Sequence, residues 1–231
     1  MSTQNKKTIK SILKLKQDGI PISMLTAYDY TFASIIDAAG IDIILVGDSV
    51  SNVFSGNETT IPVTLNEMIY HAKAVIKAVQ NALVVVDMPF GSYQISIEKA
   101  LENAIELFKT TGVQAIKLEG GKEIAPAIKK IVDAGIPVMG HLGLTPQSIH
   151  QLGSYEVQAK SAESQQLLLE NAVCLEEAGC FSLVLEKVPA NISKKIAEKL
   201  LIPVLGIGAG NGCDGQVFFF GSGFLVVISF A

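Results

Sequence analysis

Short apolar runs recur along this chain, each following a helix-like segment and each closing on a polar residue. Gly40 precedes IDIILVGDS, Gly112 precedes VQAIKLEGG, Gly135 precedes IPVMGHLG and Gly179 precedes CFSLVLEKV. Glycine in those places suits the C′ position of a helix, where the chain turns left-handed. The runs are almost uniformly apolar and do not alternate, which is the mark of parallel strands buried on both faces. The complete set is ISMLTAYD (22–29), DIILVGDS (42–49), LVVVDMP (83–89), AIKLEGG (115–121), PVMGHLG (137–143), FSLVLEKV (181–188), PVLGIGAG (203–210) and QVFFF (216–220). Helical patterns lie between most of them. Thr64 and Glu67 form a capping box that opens one helix. Thr145 before Pro146 reads as an N-cap followed by proline in the first turn.

Strands alternating with helices predict an α/β fold with a parallel sheet. Eight strands fit a (β/α)8 TIM barrel forming a single domain over 1–231, with a doubly wound open sheet as the competing fold. The polar strand ends favour the barrel. Asp29, Asp48, Asp87, Glu119, His141 and Glu186 each sit at the carboxyl end of a run. In a barrel those ends converge on one mouth; in an open sheet only the strands beside the switch point share a site.

Composition narrows the function. Lys plus Arg is 18 against 22 Asp plus Glu, a net charge of −4, so the chain lacks the basic excess expected of a nucleic-acid partner. Three cysteines, at 174, 180 and 213, show no CxxC spacing and fit a reduced, cytoplasmic protein with buried thiols. The amino terminus, MSTQNKKTIK, has no apolar stretch behind it, so no secretory signal is expected. No apolar run is long enough for a membrane span.

Two carboxylates at one mouth, Asp48 and Asp87, repel unless a cation lies between them. Hard oxygen donors without a His or Cys cluster point to Mg²⁺, with Glu119 and Glu186 nearby. Such an ion chelates a 2-oxo acid and favours its enolate. Lys117 shares a strand face with Glu119 and can meet the substrate carboxylate. Glu186, closing a mostly apolar strand, can serve as the base. His141, flanked by Gly140 and Gly143, can approach the reacting atoms. The plain structural alternatives are helix caps or loop ion pairs for the acids, a salt bridge to a neighbouring strand for Lys117, solvent exposure for Glu186 and a structural role for His141. His71 and His150 lie on helical patterns and read as non-catalytic. Tyr28 can reach the mouth or simply pack. GIGAGN (206–211) is a weak phosphate-binding signal.

Taken together, MLTAYD, LVGDS, DMPFGSY, KLEGG, GHLGLTPQS, GSYEVQAK, LVLEKVP and IPVLGIGAGN resemble the ketopantoate hydroxymethyltransferase family in order and spacing, over roughly residues 5–217. The resemblance implies a barrel of the phosphoenolpyruvate/pyruvate type. It also implies transfer of a hydroxymethyl group from methylenetetrahydrofolate to 3-methyl-2-oxobutanoate, giving 2-dehydropantoate for pantothenate and coenzyme A. Carried over, Asp48 and Asp87 bind Mg²⁺ and Glu119 completes the site through a water. Ser49 and Lys117 hold the oxo acid's carboxylate, Glu186 is the proton acceptor, and His141 sits near the new hydroxymethyl group. The family forms homo-oligomers, often of ten subunits. Competing readings are a Mg²⁺-dependent 2-oxo acid lyase of the same barrel type and an inactive barrel.

After Val217 the resemblance ends. FFFGSGFLVVISFA carries no charge and has the look of an aggregation-prone strand. The expectation is an aberrant apolar tail over 218–231, from a truncation or frameshift near residue 217. It leaves the barrel improperly closed, unless the ending is a natural variant covered by an oligomer partner.

Overall fold

The computed structural model describes residues 6–219. In chain order the elements are α1 (Ile9–Gln17), β1 (Ile22–Thr26), α2 (Tyr30–Ala38), β2 (Ile43–Val46), α3 (Val50–Val53), α4 (Leu65–Ala78), β3 (Leu83–Asp87), α5 (Ile97–Thr111), β4 (Ala115–Glu119), α6 (Ala125–Asp133) and β5 (Val138–Gly143). A 3₁₀ turn (Pro146–Ser148), α7 (Ile149–Leu152), α8 (Ala162–Glu177), β6 (Ser182–Glu186), α9 (Ala190–Lys199), β7 (Val204–Ile207) and β8 (Gly215–Phe218) follow. Each apolar run supplies one strand, and the strands form a closed parallel barrel in sequence order. Gly40, Gly112, Gly135 and Gly179 all have positive φ, as helix-ending glycines do. The Thr64–Glu67 capping box is present in both directions.

Several expectations are corrected. The barrel is closed: β8 pairs with β1 from Ile22–Gly215 to Leu25–Phe218, and with β7 at Leu205–Gly215 and Gly206–Gln216. Phe218, assigned to the tail, is therefore a barrel residue, and the rest of that tail from residue 220 lies outside the described residues. Asp29 does not face the mouth as a site group. It caps α2, accepting from the Phe32 N–H at 3.0 Å. Thr145 makes no side-chain cap, because Pro146 opens a 3₁₀ turn in place of a longer helix.

Two apolar layers hold the barrel. The outer one packs helices on strands. The inner one fills the barrel with Met24, Ile43, Val85, Met139, Val184 and Leu205, and includes Ile12 from α1. α1 lies at the end of the barrel where the strands begin. Lys7 pairs with Asp42 just before β2, and Lys16 with Asp214 just before β8, both at 2.8 Å. A chain end that buries one isoleucine inside the barrel and anchors two lysines on its rim closes that floor. The other end, where the strands finish, is left open for chemistry. Among the described residues no helix is long and apolar enough to cross a membrane.

Candidate active site

A cavity of about 350 Å³ opens at the carboxyl ends of the strands. Asp48, Ser49, Asp87, Lys117, Glu119, His141 and Glu186 all line it, over an apolar floor that includes Leu45, Val184, Ile207 and Val217. The strand register brings the polar groups side by side. Asp87 on β3 is level with Lys117 on β4, Glu119 is level with His141 on β5, and Gly143 is level with Glu186 on β6.

Each group is held by its neighbour. Asp87 Oδ2 accepts from the Asp48 N–H at 3.0 Å, which ties the end of β3 to the turn after β2. At Gly47 in that turn a Cβ would lie 2.7 Å from Ser49 Oγ, so a side chain there would have to displace the Ser49 hydroxyl. Ser49 Oγ in turn lies 2.8 Å from the Tyr28 hydroxyl, so Tyr28 does reach the mouth. Lys117 Nζ lies 2.8 Å from Asp87 Oδ1 and 3.6 Å from Glu119 Oε1. The salt bridge to a neighbouring strand is thus present, and it faces the cavity. His141 stands between two acids, its Nδ1 3.1 Å from Glu119 Oε1 and its Nε2 3.4 Å from Glu186 Oε2.

The backbone of Glu186 is fixed from both sides. Its carbonyl accepts from the Leu144 N–H at 2.8 Å. This close approach is possible because Gly143, at φ 91°, has no Cβ; one would lie 2.3 Å from Glu186 O. The next residue, Lys187, is left-handed at φ 46°, with its N–H on Ile207 O and its carbonyl on the Gln158 N–H, both at 2.7 Å.

The model of ketopantoate hydroxymethyltransferase matches residues 6–223. The chain belongs to the ketopantoate hydroxymethyltransferase family. It is 60% identical to the 3-methyl-2-oxobutanoate hydroxymethyltransferase of Flavobacterium johnsoniae over 210 residues, covering 91% of this chain and 77% of that protein. It is 58% identical to the protein of the same name from Phocaeicola vulgatus, over 92% of this chain and 78% of the other. Among solved structures, phosphonopyruvate hydrolase in complex with oxalate and Mg²⁺ superposes with a TM-score of 0.70 at 10% identity, covering 92% of this chain and 80% of that one. A 2,3-dimethylmalate lyase of the PEP mutase/isocitrate lyase superfamily gives 0.69 at 15%, covering 94% and 82%. These two show the shared barrel.

In this member of the hydroxymethyltransferase family, burial governs the electrostatics. It pushes the Asp48 carboxyl well above the ordinary carboxylate range, and the charges of Glu119 and Asp87 push it further. Asp87 is also raised by burial, against the pull of Lys117. Burial acts the same way on Glu119, but His141, Lys117 and the Gln147 N–H outweigh it and hold its carboxyl below the ordinary value. For Lys117, burial would favour the neutral amine, yet Asp87, Glu119 and Asp48 keep its pKa above the usual lysine value. For His141, burial is outweighed chiefly by Glu119, and the imidazole rises to about 9.

Four carboxyl groups, from Asp48, Asp87, Glu119 and Glu186, thus meet two cationic side chains at one buried mouth. That deficit of positive charge, with hard oxygen donors, fits a divalent ion such as Mg²⁺. Asp87 Oδ1 is buried and, apart from the Lys117 ion pair, lacks a well-angled hydrogen bond. Among the described residues no group of three or more His, Cys, Asp or Glu side chains is arranged to hold a metal ion by itself. An ion that keeps several waters needs none.

The structure also recruits residues that the sequence pattern did not single out. Gln147 and Tyr93 are buried beneath the acids and hydrogen-bonded to them. Their only sequence signal was membership of GHLGLTPQS and DMPFGSY. His71 is occupied elsewhere, its Nδ1 2.7 Å from the Tyr28 carbonyl oxygen.

Proposed function

We propose that this chain transfers a hydroxymethyl group from methylenetetrahydrofolate to 3-methyl-2-oxobutanoate, giving 2-dehydropantoate for pantothenate and coenzyme A synthesis. The observation that carries this reading is the 60% identity, across 91% of the chain, to a protein of that name. The proposal includes a cytoplasmic homo-oligomer.

Asp48 and Asp87 would hold Mg²⁺ directly, and Glu119 through a water. When bound, the ion supplies Lewis acidity beside the substrate ketone. Lys117 and Ser49 orient the oxo acid by its carboxylate; the lysine stays cationic because three acids surround it. Glu186 takes the proton from the branched carbon. His141, charged near neutrality, lies between Glu119 and Glu186, its Nδ1 3.1 Å from the first and its Nε2 3.4 Å from the second, and would steer Glu186 toward that carbon by charge. The apolar floor, with Val184 and Ile207, suits the isopropyl group and keeps water from the reacting carbon.

The test is turnover with Mg²⁺ and 3-methyl-2-oxobutanoate, with and without methylenetetrahydrofolate. The expected result is 2-dehydropantoate only when the folate is present, and exchange of the branched-carbon proton with D₂O without it. Cleavage of a 2-oxo acid independent of folate would instead establish the lyase alternative.

A further inference from the structure

Gln147 has no role in the reaction above, yet it connects the strand ends that carry it. Its Nε2 donates to Asp48 Oδ2 and to the Met88 carbonyl, both at 2.9 Å. Its Oε1 accepts from the Tyr93 hydroxyl at 2.6 Å and from Gln94 Nε2 at 3.2 Å. Its backbone N–H donates to Glu119 Oε2 at 3.0 Å. The Met88 carbonyl decides which way the amide faces, because a carbonyl can only accept. Every donor and acceptor of the side chain is used, in a position only 4% exposed.

Asp48 depends on this contact. Lys117 pairs with Asp87 and Glu119, but no ion pair reaches Asp48 among the described residues. The Gln147 amide is the hydrogen-bond partner of its side chain there. Lys117 and the Gln147 amide, with His141 on Glu119 and the Asp48 N–H on Asp87, keep three mutually repelling acids in place. The lysine serves Asp87 and Glu119; the amide serves Asp48 and, through its backbone, Glu119.

We propose that Gln147 is a positioning residue of the divalent-cation site, fixing Asp48 relative to Glu119 so that Asp48 Oδ1 is presented to the ion. The inference rests on the Mg²⁺ reading given above. Tyr93 supports it from behind: its hydroxyl accepts from the Glu119 N–H at 3.1 Å and contacts Gln147 Oε1. The amide is thus anchored to the same strand end whose acid it helps to place.

The experiment is Mg²⁺ titration by calorimetry on the metal-free protein, with melting temperature measured in parallel. The variants are Gln147→Glu, Gln147→Met and Tyr93→Phe. Gln147→Glu keeps the shape but turns an oxygen toward Asp48 and Met88 O, and Gln147→Met removes the polarity. Both should weaken Mg²⁺ binding by about 10–100-fold, as loss of a group that orients a metal ligand does. Tyr93→Phe, which leaves the Asp48 contact in place, should weaken it less but measurably. A merely structural glutamine would lower the melting temperature and leave the affinity of the folded protein unchanged. Affinities of both folded Gln147 variants equal to that of the unmodified protein would overturn the proposal. If neither folds, Tyr93→Phe decides: weaker binding supports it and unchanged binding overturns it. Absence of Mg²⁺ binding by the unmodified chain would remove the metal reading, and this inference with it.

Discussion

Asp48 is the residue on which the chemistry and the stability of this protein pull in opposite directions. Burial and two neighbouring acids raise its pKa, so the ionised form that a metal needs is the form the metal-free fold resists. Asp48→Asn should therefore leave the metal-free melting temperature equal or higher, while removing most of the Mg²⁺-induced rise and nearly all turnover. A thermal scan with and without Mg²⁺ checks all but the last. The same raised pKa makes protons compete with the ion. As pH falls, more of the folded, metal-free protein carries the proton on Asp48, and the Mg²⁺ dissociation constant should increase. A dissociation constant that changed neither with pH nor in Asp48→Asn would mean that Asp48 is not a ligand. Glu186→Gln should slow deuterium exchange at the substrate's branched carbon by roughly 10²–10⁴-fold, the usual loss of a general base, with oxo acid binding retained. The six strand-end groups were visible in the sequence because a polar residue closing an apolar run stands out. Five of them line the cavity, and Asp29 does not, since an aspartate after a strand serves equally well as the cap of the next helix. Gln147 and Tyr93 were not legible. Their roles arise only when loops 54 residues apart fold against each other.

At the scale of elements, apolar runs disclosed every strand, four of them behind a helix-ending glycine; the strands buried on both faces are written without alternation. What the pattern could not disclose was how strand ends fit together. Gly143 shows this: its left-handed φ and missing Cβ let the Glu186 carbonyl approach the end of β5. Gly143→Ala should destabilise the fold by at least about 1 kcal/mol, because it combines a disfavoured φ with a backbone clash. It should also lower turnover more than substrate affinity, by shifting Glu186. Chemical denaturation and steady-state kinetics would measure the two effects. An unchanged kcat in a folded variant would mean that β6 does not rely on this contact to aim its acid. The 3₁₀ turn after β5 departs from the expected helix start for a related reason: Gln147 within it must point down at Asp48.

The whole molecule is a ring with a plugged floor. Ile12 is fully buried inside it, so Ile12→Ala should cost about 2–5 kcal/mol, as a large-to-small core change does. The active-site affinity for Mg²⁺ should stay unchanged, since the floor and the mouth lie at opposite ends; a denaturant melt and a titration test the pair. The expectation of an improperly closed ring failed because four residues of β8 pair with β1 along the backbone, and Val217 among them packs into the barrel interior. That pairing also sets a schedule. The Lys16–Asp214 bond joins residues 198 positions apart. At ribosomal speeds of about 5–20 residues per second, the first strand waits roughly 10–40 s for its last neighbour to be synthesised. During that interval the backbone groups on its β8 side, unlike those paired with β2, are open to any passing polypeptide. The nascent chain is therefore most vulnerable to misassembly before its final strand is made, and a chaperone acting on it would find its substrate in that window.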